Sequence, residues 1–401
     1  MLTRRDWMAG AGGMGAGWLL AHSVPGFAAG ATQQNPAASD GAAAKTSAAP
    51  AFSQLGARSI DGAGSLKAHA AAQGLLAGSA VDVDILERNP EYRLLLAEQC
   101  NIVVAENAMK WAPLRPAPET FHFNDADALM AFAEQHGIAV RGHNLCWHEQ
   151  LPKWFDSIVT PANAAKYLTE HIRTVAGRYR GRIRAWDVVN EAILLKDGKP
   201  DGLRDSPWLR LLGPDYISLA FRTAREADPQ AMLTYNDYDL EYDTPEQAAK
   251  RAAVLSLLRG MKASGTPIDA VGVQSHLTAD SPNKLGAGIS QFVQDVQAMG
   301  LKVFVTEMDV NDDNVASDDP ALRDAAVGKV YGDYLTTMLA HPAVTDVLTW
   351  GISDNHSWLN NSKTHEEKHP SRQERALPLD AAYQPKPAFF ALRATLDRSK
   401  G

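Results

Sequence analysis

A closed (β/α)8 barrel, the TIM-barrel class of α/β fold, is what this sequence predicts. Three observations predict it: eight short apolar runs, amphipathic helical segments between them, and a length that suits one barrel after an N-terminal lead. The apolar runs fall at 76–81, 102–105, 138–140, 183–189, 232–235, 270–273, 303–306 and 347–350. Each is too brief for a helix, and their near-continuous apolarity suits parallel strands covered on both faces.

The intervening segments carry helix signals. Leu168, Ile172, Val175 and Tyr179 share one face, with Thr160-Pro161 before them and Gly181 after. Thr244-Pro245-Glu246-Gln247 reads as a capping box with proline in the first turn. Between 124 and 136, Leu129, Phe132 and Ala133 form a stripe that ends at Gly137. Strands alternating with helices mean βαβ units, and eight of them close most simply into a barrel; an open doubly wound sheet is the structural alternative.

The first residues read differently. Arg4-Arg5 precedes a weakly apolar, Gly-rich stretch over 8–21, and small residues follow at Phe27-Ala28-Ala29. That predicts a twin-arginine export signal over 1–30, too short in its apolar part for the roughly 18 residues of a membrane span. An uncleaved amphipathic N-terminus is the alternative. Residues 31–51 are Ala, Gly, Gln, Ser, Thr and Pro, a linker that cannot repay the entropy of ordering. The barrel domain is therefore expected over 52–401, in a periplasmic or secreted monomer with no membrane association once the signal is removed.

Composition narrows the function. A formal net charge of -8, with no run of Lys or Arg, gives no field that would gather nucleic acid. Two cysteines, Cys100 and Cys146, exclude a disulfide scaffold and a cysteine-built zinc site. They fall before one strand and after the next, near opposite ends of the sheet, so both are expected as free thiols. No GxGxxG or Walker sequence opens a helix after a strand, so a nucleotide-binding α/β protein lacks its phosphate loop.

In a barrel the chemistry gathers where strands end. Those positions carry Glu106, Asn107 and Lys110 after the second run, His143 and Trp147 after the third, and Asn190 and Glu191 after the fourth. Asn236 follows the fifth, Gln274 and His276 the sixth, Glu307 and Asp309 the seventh, and Trp350 with Trp358 the eighth. A ring of amides, carboxylates, imidazoles and indoles suits a sugar cleft, because polar groups meet hydroxyls and indoles cover the C–H faces of pyranose rings. Trp111 and Trp186 are expected in the core.

At these residues the chain resembles glycoside hydrolase family 10, the endo-β-1,4-xylanases, from about Leu76 to Leu392. The resemblance rests on Glu106-Asn107-Ala108-Met109-Lys110-Trp111, Arg141-Gly142-His143 through Trp147-His148, and Trp186-Asp187-Val188-Val189-Asn190-Glu191. It continues through Asn236-Asp237-Tyr238, Gln274-Ser275-His276, Thr306-Glu307-Met308-Asp309, Trp350-Gly351 and a closing Pro385-Lys386-Pro387-Ala388. It implies retaining cleavage of β-1,4-linked xylan or xylo-oligosaccharides, with Glu191 as acid/base, Glu307 as nucleophile, and no cofactor or metal. Such chemistry needs the two carboxyl groups about 5 to 5.5 Å apart.

The resemblance also implies that His276 hydrogen-bonds Glu307 and is oriented by Asp309, and that Asn190 contacts the sugar 2-hydroxyl. Glu106, Asn107, Lys110 and His143 would hold the non-reducing side under Trp350 and Trp358, Trp147 and Gln274 would line the cleavage subsite, and Asn236 would sit near Glu191. The same two glutamates would serve a β-1,4-glucanase or mannanase, and a catalytically silent glycan-binding barrel is the alternative of another class.

Two features stand apart. His365-Glu366-Glu367-Lys368-His369 fits the HExxH zinc pattern, but the segment is wholly polar and Pro370 follows, so no buried helix is expected there. The surrounding 360–377 stretch departs from the family pattern, and Cys146 stands where an aliphatic residue is usual, a neutral exchange.

Overall fold

The computed structural model describes residues 60–397. The export signal (1–30), the linker (31–51) and the first residues of the expected domain lie outside the described residues. Nine strands occur among those described: β1 (Leu76–Val81), β2 (Ile102–Ala105), β3 (Ala139–His143), β4 (Ala185–Asn190), β5 (Met232–Asp237), β6 (Ala270–Val273), β7 (His276–Thr278), β8 (Lys302–Asn311) and β9 (Val344–Thr349). Eight close into a parallel ring, because β1 pairs with both β2 and β9 while β6 passes over β7 to pair with β8. The short β7 lies outside that ring and pairs with the outer half of β8, His276 opposite Asp309.

Three differences from the sequence expectation concern the strands. β3, β4, β5 and β8 run on to His143, Asn190, Asp237 and Asn311, past their last apolar residues. β9 begins at Val344 and stops before Trp350. The reason is physical: at the mouth of a barrel an inward-facing side chain reaches the cleft, so polar residues continue the strand where a hydrophobicity pattern ends. β7 has three residues, too few for any periodic signal.

The helices follow their signals more closely. Helix Ala164–Arg178 buries Leu168, Ile172 and Val175 completely, with Tyr179 just beyond its end. Helix Asn124–His136 ends at Gly137, whose φ of 63° is the left-handed conformation that glycine adopts without strain. Helix Pro245–Ala263 is capped by Thr244, whose hydroxyl accepts from the Gln247 N–H at 3.2 Å. The return contact differs from a capping box: the Gln247 side chain accepts from the Tyr242 N–H at 2.5 Å instead of from the cap residue.

The main core lies between the strands and the helices and includes Trp111 and Trp186, both fully buried as expected. Inside the ring, Ala185, Ala270 and Phe304 form a small apolar layer. Arg141 crosses above it, its guanidinium 6.0 Å from the Phe304 ring centre, and pairs with Asp187. This buried ion pair is the floor of the cleft. Cys100 and Cys146 are buried free thiols, and burial pushes both well up from the ordinary thiol range.

Candidate active site

Glu191 follows β4 directly. Its N–H donates to the Asn236 carbonyl on β5 at 2.8 Å, and its φ of 58° turns the side chain into the ring. The carboxyl is almost fully buried and its Oε1 accepts from Gln274 Nε2 at 2.9 Å and Asn190 Nδ2 at 3.3 Å. Glu307 lies within β8. Its N–H donates to the Gln274 carbonyl at 3.0 Å, and its Oε1 accepts from Asn236 Nδ2 at 2.8 Å.

Asn236 therefore joins the two carboxyls. Its Nδ2 also donates to Asn190 Oδ1 at 2.8 Å, so Glu307, Asn236, Asn190 and Glu191 form one chain of contacts. Its Oδ1 accepts from the Thr306 hydroxyl at 2.8 Å, which fixes the amide orientation. Gly272 on β6 makes room for this amide: a Cβ there would stand 2.1 Å from Asn236 Oδ1.

On the outer side, His276 Nε2 is 3.3 Å from Glu307 Oε2 and its Nδ1 is 2.9 Å from Asp309 Oδ1. Trp358 donates its indole N–H to the other oxygen of Asp309 at 2.8 Å and meets the His276 ring edge-on, centroids 5.5 Å apart. One carboxylate thus orients both the imidazole beside Glu307 and an indole of the cleft roof.

A second group flanks the first. His143 Nδ1 is 2.9 Å from Asp187 Oδ2, and its ring meets Trp350 edge-on at 5.4 Å. The Lys110 ammonium lies 5.3 Å from the Trp147 ring centre and 5.8 Å from that of Trp350, and donates to Asn107 Oδ1 at 3.1 Å. Burial draws Lys110 below the ordinary ammonium range while Glu106, Glu307, Glu191 and Glu149 draw it back. Desolvation pushes the Glu106 carboxyl up to about 7, against Lys110 and with help from Asp82. Asn107 is the exposed member of the group.

All the residues singled out in the sequence fall into these two groups, which meet through Lys110 and through Arg141, whose Nη2 is 3.4 Å from Asn236 Oδ1. The sequence reading missed Asp187, Thr306 and Arg204, whose Nη2 lies 3.9 Å from Glu191 Oε2, as parts of the site. A charged residue inside the apolar 183–189 run was a signal for Asp187; nothing local pointed to Arg204.

The HExxH segment departs from expectation. A short helix, Lys363–Lys368, does form, capped by Ser362, whose hydroxyl accepts from the His365 N–H at 3.0 Å. It is held by ions instead of by an apolar stripe. His365 is buried with Nδ1 2.7 Å from Asp313 Oδ1 and 3.0 Å from Glu374 Oε1. His369 lies past the helix end and faces the Asp313 carbonyl at 2.9 Å.

Asp313, His365 and Glu374 present ligand-type atoms within 4.8 Å of one another. Both ring nitrogens of His365 face oxygens, Nδ1 the two carboxyls and Nε2 the Arg372 carbonyl, so the ring sits as a doubly donating imidazolium. Arg323 and Arg372 stand against the adjoining Asp312 at 2.7 and 3.7 Å. This is an internally neutralised ion cluster, and a cation entering it would have to displace the His365 proton.

Comparison with known proteins identifies the family. The profile of Glycosyl hydrolase family 10 matches residues 65–395. Endo-1,4-beta-xylanase B of Paenibacillus barcinonensis is 35% identical over 327 residues, 79% of this chain and 93% of that protein. Endo-1,4-beta-xylanase A of Caldicellulosiruptor sp. (strain Rt8B.4) is 35% identical over 335 residues, and there the chain spans 43% of the relative's length. The crystal structure of xylanase 10B from Thermotoga petrophila RKU-1 in complex with xylobiose superposes with a TM-score of 0.74 at 30% identity, covering 83% of this chain and 97% of that one. The chain belongs to glycosyl hydrolase family 10 and is a glycoside hydrolase.

Proposed function

We propose that the protein is an endo-1,4-β-xylanase that cleaves xylan with retention, Glu307 acting as nucleophile and Glu191 as acid/base. One observation carries this reading: two buried carboxyls, one just after β4 and one within β8, share a single amide chain through Asn236 and Asn190. Neutral amides hold both groups in place and favour the anion less strongly than a cation would.

In the first step Glu307 oxygen bonds to the anomeric carbon, the glycosidic C–O bond breaks, and the Glu191 proton passes to the departing oxygen. Asn236 and His276 favour the ionised Glu307 that this attack requires. In the second step water adds to the anomeric carbon, its proton goes to Glu191, and Glu307 is released. The ester carries no charge on Glu307, so the repulsion that held the proton on Glu191 is gone when a base is needed.

The xylan preference is supported by the matched xylanases and by the crowding of Lys110, Trp147 and Trp350, which leaves little room for the hydroxymethyl group of glucose. Digestion of arabinoxylan and cellulose by wild type, Glu191→Ala and Glu307→Ala tests the whole. Wild type should release β-configured product from xylan, and Glu307→Ala should lose about 10⁴-fold or more in kcat/KM. Glu191→Ala should lose about 10²- to 10⁴-fold on xylan and much less on aryl glycosides with good leaving groups. Inverted product refutes the mechanism; equal rates on cellulose and xylan refute the substrate.

Export by the twin-arginine route remains part of the proposal, supported by Arg4-Arg5 and the small residues that follow. N-terminal sequencing of exported protein should find a start near residue 30, and a start at Met1 refutes cleavage.

A further inference from the structure

The loop that leaves Glu191 returns to it. Its neck is closed by a bridge between Ile193 and Leu203 and by the Arg204 N–H donating to the Ala192 carbonyl at 2.7 Å. This puts the Arg204 side chain, thirteen residues on and itself buried, against Glu191. Arg204 Nε donates to the Glu191 carbonyl at 2.7 Å, and Nη2 donates to the Tyr238 hydroxyl at 2.7 Å and lies 3.9 Å from Glu191 Oε2.

Two properties of this arrangement exceed what packing needs. Glu191 has a positive φ, a conformation that costs a non-glycine residue free energy, and its carbonyl is the group Arg204 holds. A guanidinium stays charged through every step of the reaction, whereas the charge of Glu307 comes and goes. The other charged and titratable groups around Glu191 come from several elements: Lys110 after β2, Cys146 and His148 after β3, Tyr216 at the start of helix Tyr216–Ala227, Asp237 at the end of β5 with Tyr238 just beyond it, and Glu307 on β8. Asp237 is already taken by Lys250 at 2.7 Å, and that ammonium also lies 3.6 Å from the Tyr238 ring centre, which stiffens the anchor of Arg204.

We propose that Arg204 is the positioning residue of the acid/base. It pins the left-handed turn at Glu191 and, as the invariant charge beside a partner whose charge alternates, lowers the carboxyl's hold on its proton. While Glu307 is an anion the two influences oppose, and Glu191 keeps the proton. Once Glu307 is esterified only the cation remains, and Glu191 becomes the base that takes the proton from water. This inference rests on Glu191 being the acid/base.

The test is the pH profile of Arg204→Met and Arg204→Lys, with xylohexaose and with a dinitrophenyl xylobioside as substrates and a thermal melt to establish folding. For Arg204→Met the basic limb of kcat/KM on xylohexaose should move up by about one pH unit. On the aryl substrate, where the second step limits turnover, kcat near neutral pH should fall about tenfold. Arg204→Lys restores the charge, so its limb should stay near the wild-type position even if its rate falls. A folded Arg204→Met with an unmoved limb overturns the inference. Should that variant fail to fold, an Arg204→Lys limb displaced upward by a full unit overturns it. If Glu191→Ala retains wild-type activity on xylohexaose, the acid/base reading itself fails; with Glu191→Ala inactive, a negative result sinks the Arg204 inference alone.

Discussion

The cleft around Glu191 and Glu307 and the ion cluster around Asp313 and Glu374 both bury carboxyl groups, yet they treat them in opposite ways. In the cleft, Glu307 and Glu191 are held mainly by the amides of Asn236, Asn190 and Gln274. In the cluster, Asp312 and Asp313 are met by Arg323, Arg372 and His365. Amide donors position a carboxyl and let it change charge more readily; cationic partners hold it ionised and with that hold the structure. The first arrangement suits chemistry and the second suits anchoring. What the cluster anchors is the 354–377 segment that carries Trp358, tied to the loop after β8.

The contrast breaks most visibly at Arg323. Arg323→Ala leaves Asp312 buried without its bidentate partner and should destabilise the fold by about 3 to 5 kcal/mol, read by urea or thermal unfolding. If stability is unchanged, the cluster anchors nothing.

Asn236→Ala attacks the other side. It removes the donor to Glu307 and the amide that orients Asn190 beside Glu191, and kcat/KM on xylan should fall about 10²-fold while the melting temperature falls far less than for Arg323→Ala. Full activity in that variant would sink the idea that amides organise the pair.

The smallest effect concerns pH. Glu374 and Asp313 hold His365 up at about 9, and burial with its acidic neighbours raises Glu374 to about 8. Both groups bind protons more tightly folded than unfolded. Their stabilisation is complete at low pH, begins to fade above about 4.5 for Glu374 and about 6.5 for His365, and is gone beyond pH 9. Thermal melts should lose on the order of 1 to 2 kcal/mol between pH 6 and 9.5, a loss that His365→Gln should reduce. An equal loss in that variant would place the effect elsewhere.

The two regions also differ in how far the sequence disclosed them. The cleft was legible because a barrel collects its chemistry at strand ends, so Glu106, His143, Asn190, Asn236, Gln274 and Glu307 could be read off in order. The strands themselves were legible as apolar runs, but not their outer ends, where Asn190 or Asp309 continues a ladder that hydropathy says has stopped. Arg204 was hidden because its partner is brought back by loop closure, which leaves no period in sequence. The cluster was hidden for a different reason: a polar stretch such as 360–377 reads as solvated. Burial of His365 and Glu374 becomes affordable only when Asp313 and Arg372 arrive from elsewhere in the fold. Lys386 belongs to the same kind of hidden link, its ammonium 2.6 Å from the buried Asp354 that also receives the Leu377 N–H.

Asp309 ties the roof and the proposed nucleophile to one side chain. Its two oxygens are divided between the indole of Trp358 and the imidazole that touches Glu307. On the proposed mechanism, contact at the ceiling and the orientation of the group beside the attacking oxygen therefore depend on the same carboxylate.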